Sequence, residues 1–273
     1  GNVSACTANR RGDPGVSHSD LFNLDGRVAL VTGGARGLGE ASAQTMAQLG
    51  ATVVLADMDT EAVAATAERL ASETGATILA RTCDVTDANS VDQLVAGVVE
   101  ELQRIDILVN NAGIHRRVDP LDFDPGDVEA ILDVNFRGAF QVATRVGREM
   151  TRSGGGSIIN ISALGGGIAG LGRAGTVYCM TKGALVSLTR ELAAEWGGSG
   201  VRVNALAPGW IRTPMTHALQ NNAERSARVI ARVPLGRWGE ATDVAGAVAF
   251  LASDASAYIT GHTIPVDGGV ANV

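Results

Sequence analysis

The sequence predicts an α/β fold: a single-domain, doubly wound parallel sheet with helices on both faces. Three observations predict it. Short apolar runs of strand type alternate with Ala-rich amphipathic stretches longer than ten residues, the pattern of strand–helix crossovers. The first run opens into a glycine-rich turn followed at once by helical spacing. Hydrophobic residues make up 45% of the 273 and charged residues 19%, which supplies one sizeable core and argues against disorder.

Taken in order, residues 1–20 are rich in Gly, Ser, Asn and Arg without apolar periodicity and read as an N-terminal extension. Residues 21–273 read as one domain, with no internal linker and no repeat of 20–50 residues. Val28-Ala29-Leu30-Val31-Thr32 is the first buried strand, and Leu38, Ala41, Ser42, Thr45, Met46 and Leu49 then recur at helical spacing. Thr52–Ala56, Thr77–Arg81, Ile105–Val109, Ser157–Ile161, Val201–Leu206 and Thr263–Val266 repeat the strand signal, and Thr176–Trp196 has helical periodicity. Right-handed crossovers between such strands lead to the doubly wound arrangement.

The formal net charge of −7 leaves no basic footprint for a nucleic acid. No apolar run approaches the roughly 18 residues of a membrane-spanning helix, and no secretory h-region stands near the amino terminus. Cys6, Cys83 and Cys179 are odd in number and form no CxxC, so neither a disulfide framework nor a metal site is expected, and a reducing cytoplasm fits.

Strand, turn and helix meet at Thr32-Gly33-Gly34-Ala35-Arg36-Gly37-Leu38-Gly39. Gly33, Gly37 and Gly39 let the backbone turn tightly against a pyrophosphate, while the helix, entered through Leu38, offers unpaired N–H groups and its positive dipole end. The arrangement reads as a Rossmann-like dinucleotide site, or else as a glycine turn that holds no nucleotide. An acid, Asp57, closes the second strand 18 residues beyond Gly39, with Met58 next to it. A carboxylate there accepts hydrogen bonds from ribose hydroxyls and repels a 2′-phosphate, which favours NAD over NADP. Arg36 argues the other way, as a cation able to neutralise that phosphate, or else it is a surface arginine paired with a carboxylate such as Asp57.

The 22 cations comprise 21 Arg and a single Lys, Lys182, and that lysine stands four residues after Tyr178, one of only two tyrosines. At i and i+4 of a helix both side chains share a face. An ammonium near a phenol stabilises phenolate, so Lys182 is expected to lower the Tyr178 pKa and equip it as a general acid/base. Arginine, bulkier and never deprotonated, is a poorer partner.

With these residues on the page the chain resembles the short-chain dehydrogenases/reductases over about residues 22–273. The resemblance rests on Thr32–Gly39, Asp84-Val85, Asn110-Asn111-Ala112-Gly113, Asn135, Tyr178-xxx-Lys182, Pro208-Gly209 and Val266-Asp267-Gly268-Gly269. It implies that Asp84 and Val85 border the adenine, that Asn111, Ala112, Gly113 and Ile114 line the nicotinamide ribose, and that Pro208, Gly209, Ile211 and Thr213 close over the carboxamide. It also implies that Lys182 holds ribose hydroxyls and that Asn135 anchors a proton-relay water. The implied reaction is hydride transfer between a secondary alcohol and the nicotinamide ring, with Tyr178 moving the hydroxyl proton. A homotetramer is implied as well.

The chain departs from the family where a substrate-binding serine is expected after the fifth strand: Asn160-Ile161-Ser162-Ala163 places alanine there. Ser162 lies one residue early, on the opposite face of a regular strand, and serves as the working serine only if the backbone bulges. His115 and Arg117, in Asn111-Ala112-Gly113-Ile114-His115-Arg116-Arg117, are the candidate substrate contacts, the paired arginines being suited to a carboxylate or else solvated or engaged in subunit contacts. This stretch, with Pro234–Gly239, resembles the gluconate 5-dehydrogenase and 2-deoxygluconate dehydrogenase branch, which implies a sugar acid or polyol. The alternatives are a 3-oxoacyl thioester or broad ketone reductase, and a catalytically silent dinucleotide-binding protein, which Ala163 suggests.

Overall fold

The computed structural model describes residues 18–168 and 175–272. Seven strands form one parallel sheet: β1 (Val28–Thr32), β2 (Thr52–Asp57), β3 (Ile78–Thr82), β4 (Ile107–Asn110), β5 (Gly156–Ile161), β6 (Val201–Pro208) and β7 (Thr263–Val266). Their order across the sheet is β3-β2-β1-β4-β5-β6-β7. The chain winds outward from β1 in one direction and from β4 in the other. At this switch point the loops diverge and leave a crevice at the carboxyl ends of the strands.

The helices are α1 (Gly37–Gln48), α2 (Thr60–Thr74), α3 (Ala88–Leu102), α4 (Pro125–Leu132), α5 (Ala139–Ser153), α6 (Thr176–Trp196), α7 (His217–Gln220), α8 (Ala223–Ile230) and α9 (Ala241–Ala252). Strand alternation decides which face each apolar residue serves. Ala29, Val31, Val53, Leu55, Ile107, Val109, Ile159 and Ile161 pack with Ala43 and Met46 of α1 and Val244, Val248 and Leu251 of α9. Their strand neighbours Val28, Leu30, Val54, Leu108 and Ile158 pack on the other side with Val91, Leu94 and Val98 of α3, Val142 and Val146 of α5 and Leu192 of α6. Both faces are covered, so the strands are apolar throughout.

The expected strand runs and the long α6 are present, with ends displaced by at most two residues. β4 begins at Ile107 rather than Ile105. Ile105 is buried without joining the ladder, and Asp106 instead turns its carboxylate to accept from the Val28 N–H at 2.9 Å. Of the expected N-terminal extension, 1–17 and Cys6 lie outside the described residues, while residues 18–20 begin a short 3₁₀ turn, His18–Phe22. Between α4 and α5 the chain makes a π-helical turn, Asp133–Gly138, which carries Asn135. Gly138 is needed there because a Cβ would stand 2.8 Å from Val85. Among the described residues no helix is long and apolar enough to cross a membrane, and no group of three or more His, Cys, Asp or Glu is placed to hold a metal ion.

Candidate active site

Each loop at the carboxyl end of the sheet delivers one part of the site. The glycine turn after β1 has Gly33 at φ +62° and Gly37 at φ +63°, a region that side chains rarely adopt. A Cβ on Gly39 would collide with the Gly33 carbonyl, and one on Gly33 would stand 2.9 Å from Ala112 Cα and Asn111 Nδ2. The turn is pinned from β4: Asn111 donates its side-chain amide to the Thr32 and Gly33 carbonyls, both at 3.0 Å. Thr32 Oγ1 accepts from the Asn111 and Ala112 N–H groups at 3.0 and 3.1 Å. Thr32 is a site-building residue that the sequence reading missed, although a hydroxyl at the last strand position before the glycines was its signal.

No side chain caps the N-terminus of α1, whose N-cap residue is the extended Arg36, and Leu38 packs against the core. The first N–H groups of that helix therefore remain available for an anion. The Asp57 carboxylate is fixed at the end of β2 by the Ala35 and Asp59 N–H groups, each at 3.2 Å. Arg36 is exposed and pairs with a carboxylate, as its surface-pair reading allows: the partner is Asp59, at 3.7 Å, in place of the nearby Asp57. Met58 beside it is 70% exposed. After β3, Asp84 accepts from Thr86 N and Oγ1, and Val85 is buried against Gly138. Pro208 ends β6, Gly209 donates to the Val266 carbonyl at 3.0 Å, and Ile211 is buried. Thr213 starts a turn stabilised by Thr216 and Gln220 and lies across from Gly37, within van der Waals reach of a Cβ placed there. Glycine turn, open helix end, β2 carboxylate and overlying β6 loop together fit a nicotinamide dinucleotide. When bound, it accepts or returns the hydride.

The candidate catalytic side chains come from α6 and the π-turn. Lys182 is only 3% exposed and donates to the Ile161 carbonyl at 2.7 Å, with its Nζ 5.7 Å from the Tyr178 ring centre. Burial pulls the Lys182 ammonium down to about 8; burial, and after it the neighbouring Cys179, pushes the Tyr178 phenol up to about 12. The expected lowering of the tyrosine pKa is thus reversed in direction: the ammonium is aimed at a β5 carbonyl, and desolvation dominates the phenol. Asn135, fully buried, accepts from Ile114 N at 2.8 Å and donates to Ile114 O at 2.9 Å. Both faces of its amide thereby fix the loop after β4. Gly113 lies between Asn135 and Lys182, its Cβ position 3.3 and 3.4 Å from their polar atoms.

Ser162 is 2% exposed and donates its hydroxyl to the Lys182 carbonyl at 2.7 Å. That bond ties the end of β5 to α6 and uses the hydroxyl proton. Ala163 follows with no polar group to offer. His115 stands opposite: its ring is 5.0 Å from the Tyr178 ring in an edge arrangement. Arg116 pairs with Asp127 at 2.6 Å, whereas Arg117 is exposed with no carboxylate partner among the described residues.

A family model described as Enoyl-(Acyl carrier protein) reductase matches residues 33–271. Galactitol 2-dehydrogenase (L-tagatose-forming) of Cereibacter sphaeroides is 40% identical over 255 residues, 93% of this chain and 98% of the relative. The chain belongs to the short-chain dehydrogenase/reductase family. The 3-oxoacyl-[acyl-carrier-protein] reductase of Thermotoga maritima is 39% identical over 252 residues, 91% of this chain and 99% of that protein. Gluconate 5-dehydrogenase of Burkholderia cenocepacia J2315, solved with NADP and tartrate, superposes with a TM-score of 0.89 at 39% identity, covering 93% of this chain and 98% of its own. As a family member this protein is an oxidoreductase that acts on CH–OH groups with a nicotinamide dinucleotide.

Proposed function

We propose that this dehydrogenase interconverts a secondary alcohol and a ketone on a sugar acid or polyol, with NAD(H) as cofactor. Arg117 carries the substrate reading. It is an exposed guanidinium without a carboxylate partner, two residues from the histidine that packs on Tyr178. A planar guanidinium so near in sequence to His115 suits a carboxylate remote from the reacting carbon. Relatives named for galactitol and gluconate support that class. In the reaction Tyr178 carries the hydroxyl proton, Lys182 supplies charge and a proton behind it, and Asn135 holds the loop that brings His115 to the phenol. An NAD-reduction screen over sugar acids, polyols, simple secondary alcohols and 3-hydroxyacyl thioesters tests this. Turnover of D-gluconate or galactitol well above the rest is the expected result, and turnover confined to the thioesters overturns it.

The cofactor reading rests on the Asp57 carboxylate, held by two backbone N–H groups where the adenosine ribose would lie. The NADP in the Burkholderia structure and the exposed Arg36 pull the other way. Asp57→Ala is expected to raise the NADP:NAD ratio of kcat/KM about tenfold, which is 1.4 kcal/mol of discrimination. An unchanged ratio rejects the assignment. We also propose a homotetramer, supported by Phe136 and Phe140, 39% and 47% exposed at the π-turn and the start of α5. The free thiols of Cys83 and Cys179 support a reducing, cytoplasmic setting.

A further inference from the structure

We propose that the His115 imidazole donates a hydrogen bond to the reacting oxygen of the substrate, filling the role that no hydroxyl at the end of β5 can fill. The proposal rests on the reading of Tyr178 as the proton carrier between alcohol and ketone. An oxygen that alternates between hydroxyl and carbonyl passes through a state of developing negative charge. Tyr178 moves a proton to or from that oxygen, so a second donor that keeps its own proton is required to stabilise the charge throughout.

The neighbouring hydroxyls are already spent. Ser162 donates to Lys182 O from a 2% exposed position, and a Cβ on Gly166 would stand 2.8 Å from its Oγ, so backbone closes over it. Thr181 donates to Tyr178 O at 2.8 Å and lies 3.4 Å from the Asn135 amide. Lys182 points to Ile161 O. Ala163 has nothing to donate.

His115 has what these groups lack. Its ring lies against the Tyr178 ring at 5.0 Å, is exposed to an incoming molecule, and makes no hydrogen bond to any described residue. Its position is not a free loop conformation, because the backbone N–H and C=O of the preceding Ile114 are both bonded to the buried Asn135 amide. The partial burial of the ring holds its pKa below the usual histidine value, so the imidazole is neutral at pH 7 and above. A neutral imidazole still carries one N–H, which is the donor needed, and adds no charge beside the buried Lys182. In the oxidation direction the oxygen's proton would pass to the phenolate form of Tyr178 and the carbon's hydride to bound NAD, while His115 retains its own proton.

The test compares the wild-type protein with His115→Phe, His115→Gln, Ala163→Ser and the double variant His115→Phe/Ala163→Ser. D-gluconate and cyclohexanol are the alcohols, NAD the oxidant. Cyclohexanol has no carboxylate and isolates the contact at the reacting oxygen. Loss of one such donor is expected to lower kcat about 10²-fold in His115→Phe on both alcohols. NAD affinity is expected to hold, His115→Gln to recover most of the rate, and Ala163→Ser to restore at least about a tenth of it in the double variant. A second readout needs no turnover: in the dead-end complex with NADH, adding either alcohol is expected to shift the His115 ring nitrogen resonance, assigned by its disappearance in His115→Phe. A His115→Phe rate within about twofold of wild type overturns the proposal, as does a loss that neither Gln nor Ala163→Ser relieves. So does a ring resonance indifferent to both alcohols. Failure of the underlying reading looks different: Tyr178→Phe would keep its turnover, whatever His115 does.

Discussion

The two halves of the crevice are built by different physics. At the β1–β2 end the backbone shapes the crevice: the turn from Gly33 to Gly39 is set by positive φ and by contacts that a Cβ would forbid, and Asn111 with Thr32 locks it from behind. At the β5–α6 end the work falls to side-chain atoms whose use depends on direction, such as the Ser162 hydroxyl turned to Lys182 O, the Lys182 amine turned to Ile161 O, and the His115 ring turned to Tyr178. Backbone demands leave marks in residue type and spacing. Side-chain direction leaves few, because one serine serves equally well facing a substrate or a helix carbonyl.

The largest expected effect separates the two halves. Tyr178→Phe removes only the phenolic oxygen and leaves the glycine turn, the Asp57 carboxylate and the Asn111 clamp in place. Turnover is expected to fall at least about 10³-fold, within the range for a positioned acid/base, with NAD affinity essentially unchanged in a fluorescence titration. Retained turnover would remove the tyrosine from the chemistry.

Gly39→Ala should show the converse. The added methyl meets the Gly33 carbonyl, which cannot move away without breaking its hydrogen bond from Asn111. NAD affinity is expected to weaken at least about tenfold, equal to 1.4 kcal/mol, with little change in kcat at saturating cofactor. Unaltered binding would mean that the turn is not the pyrophosphate cradle.

These two experiments also mark what was legible in the sequence. The sheet, its crossovers and the α6 limits followed from the alternation of apolar runs, because a sheet covered on both faces has to be continuously apolar. Tyr178 and Lys182 followed from spacing and from the singularity of the lysine. The electrostatic sense of that pair did not follow, since its sign depends on burial: Lys182 is 3% exposed with its amine turned to Ile161 O, and desolvation raises the phenol, with Cys179 acting in the same direction. A surface pairing of Arg36 with a nearby carboxylate was one of its two readings, and the carboxylate is that of Asp59. Asn135 was expected to anchor a relay water, and its grip on both backbone groups of Ile114 was not foreseen, because it depends on a π-turn that no residue pattern announces.

A pH profile sharpens the comparison further. Lys182, held at about 8, titrates in the accessible range, while Tyr178 at about 12 does not. The lowered lysine pKa means that its charge is present below about pH 8 and lost above it. Ketone reduction, which draws a proton from this pair, is expected to fall as pH rises through that value. Alcohol oxidation, which delivers a proton to it, is expected to rise over the same interval. Profiles of kcat/KM that stay flat from pH 7 to 9 in both directions would exclude Lys182 as the proton store behind the phenol.

The smallest expected effect falls on the outermost residue. Arg117 is exposed, so its attraction to a carboxylate is screened, and contacts of that kind contribute at most about 1 kcal/mol. Arg117→Ala should therefore raise KM for sugar acids roughly fivefold, leave kcat nearly constant, and leave neutral polyols almost unaffected. The contrast with Arg116 is the control: its guanidinium is committed to Asp127, and its replacement should not distinguish acids from neutral polyols. If Arg117→Ala weakens both substrate types equally, the loop is shaping the cavity and the preference for a carboxylate has to come from elsewhere in the crevice.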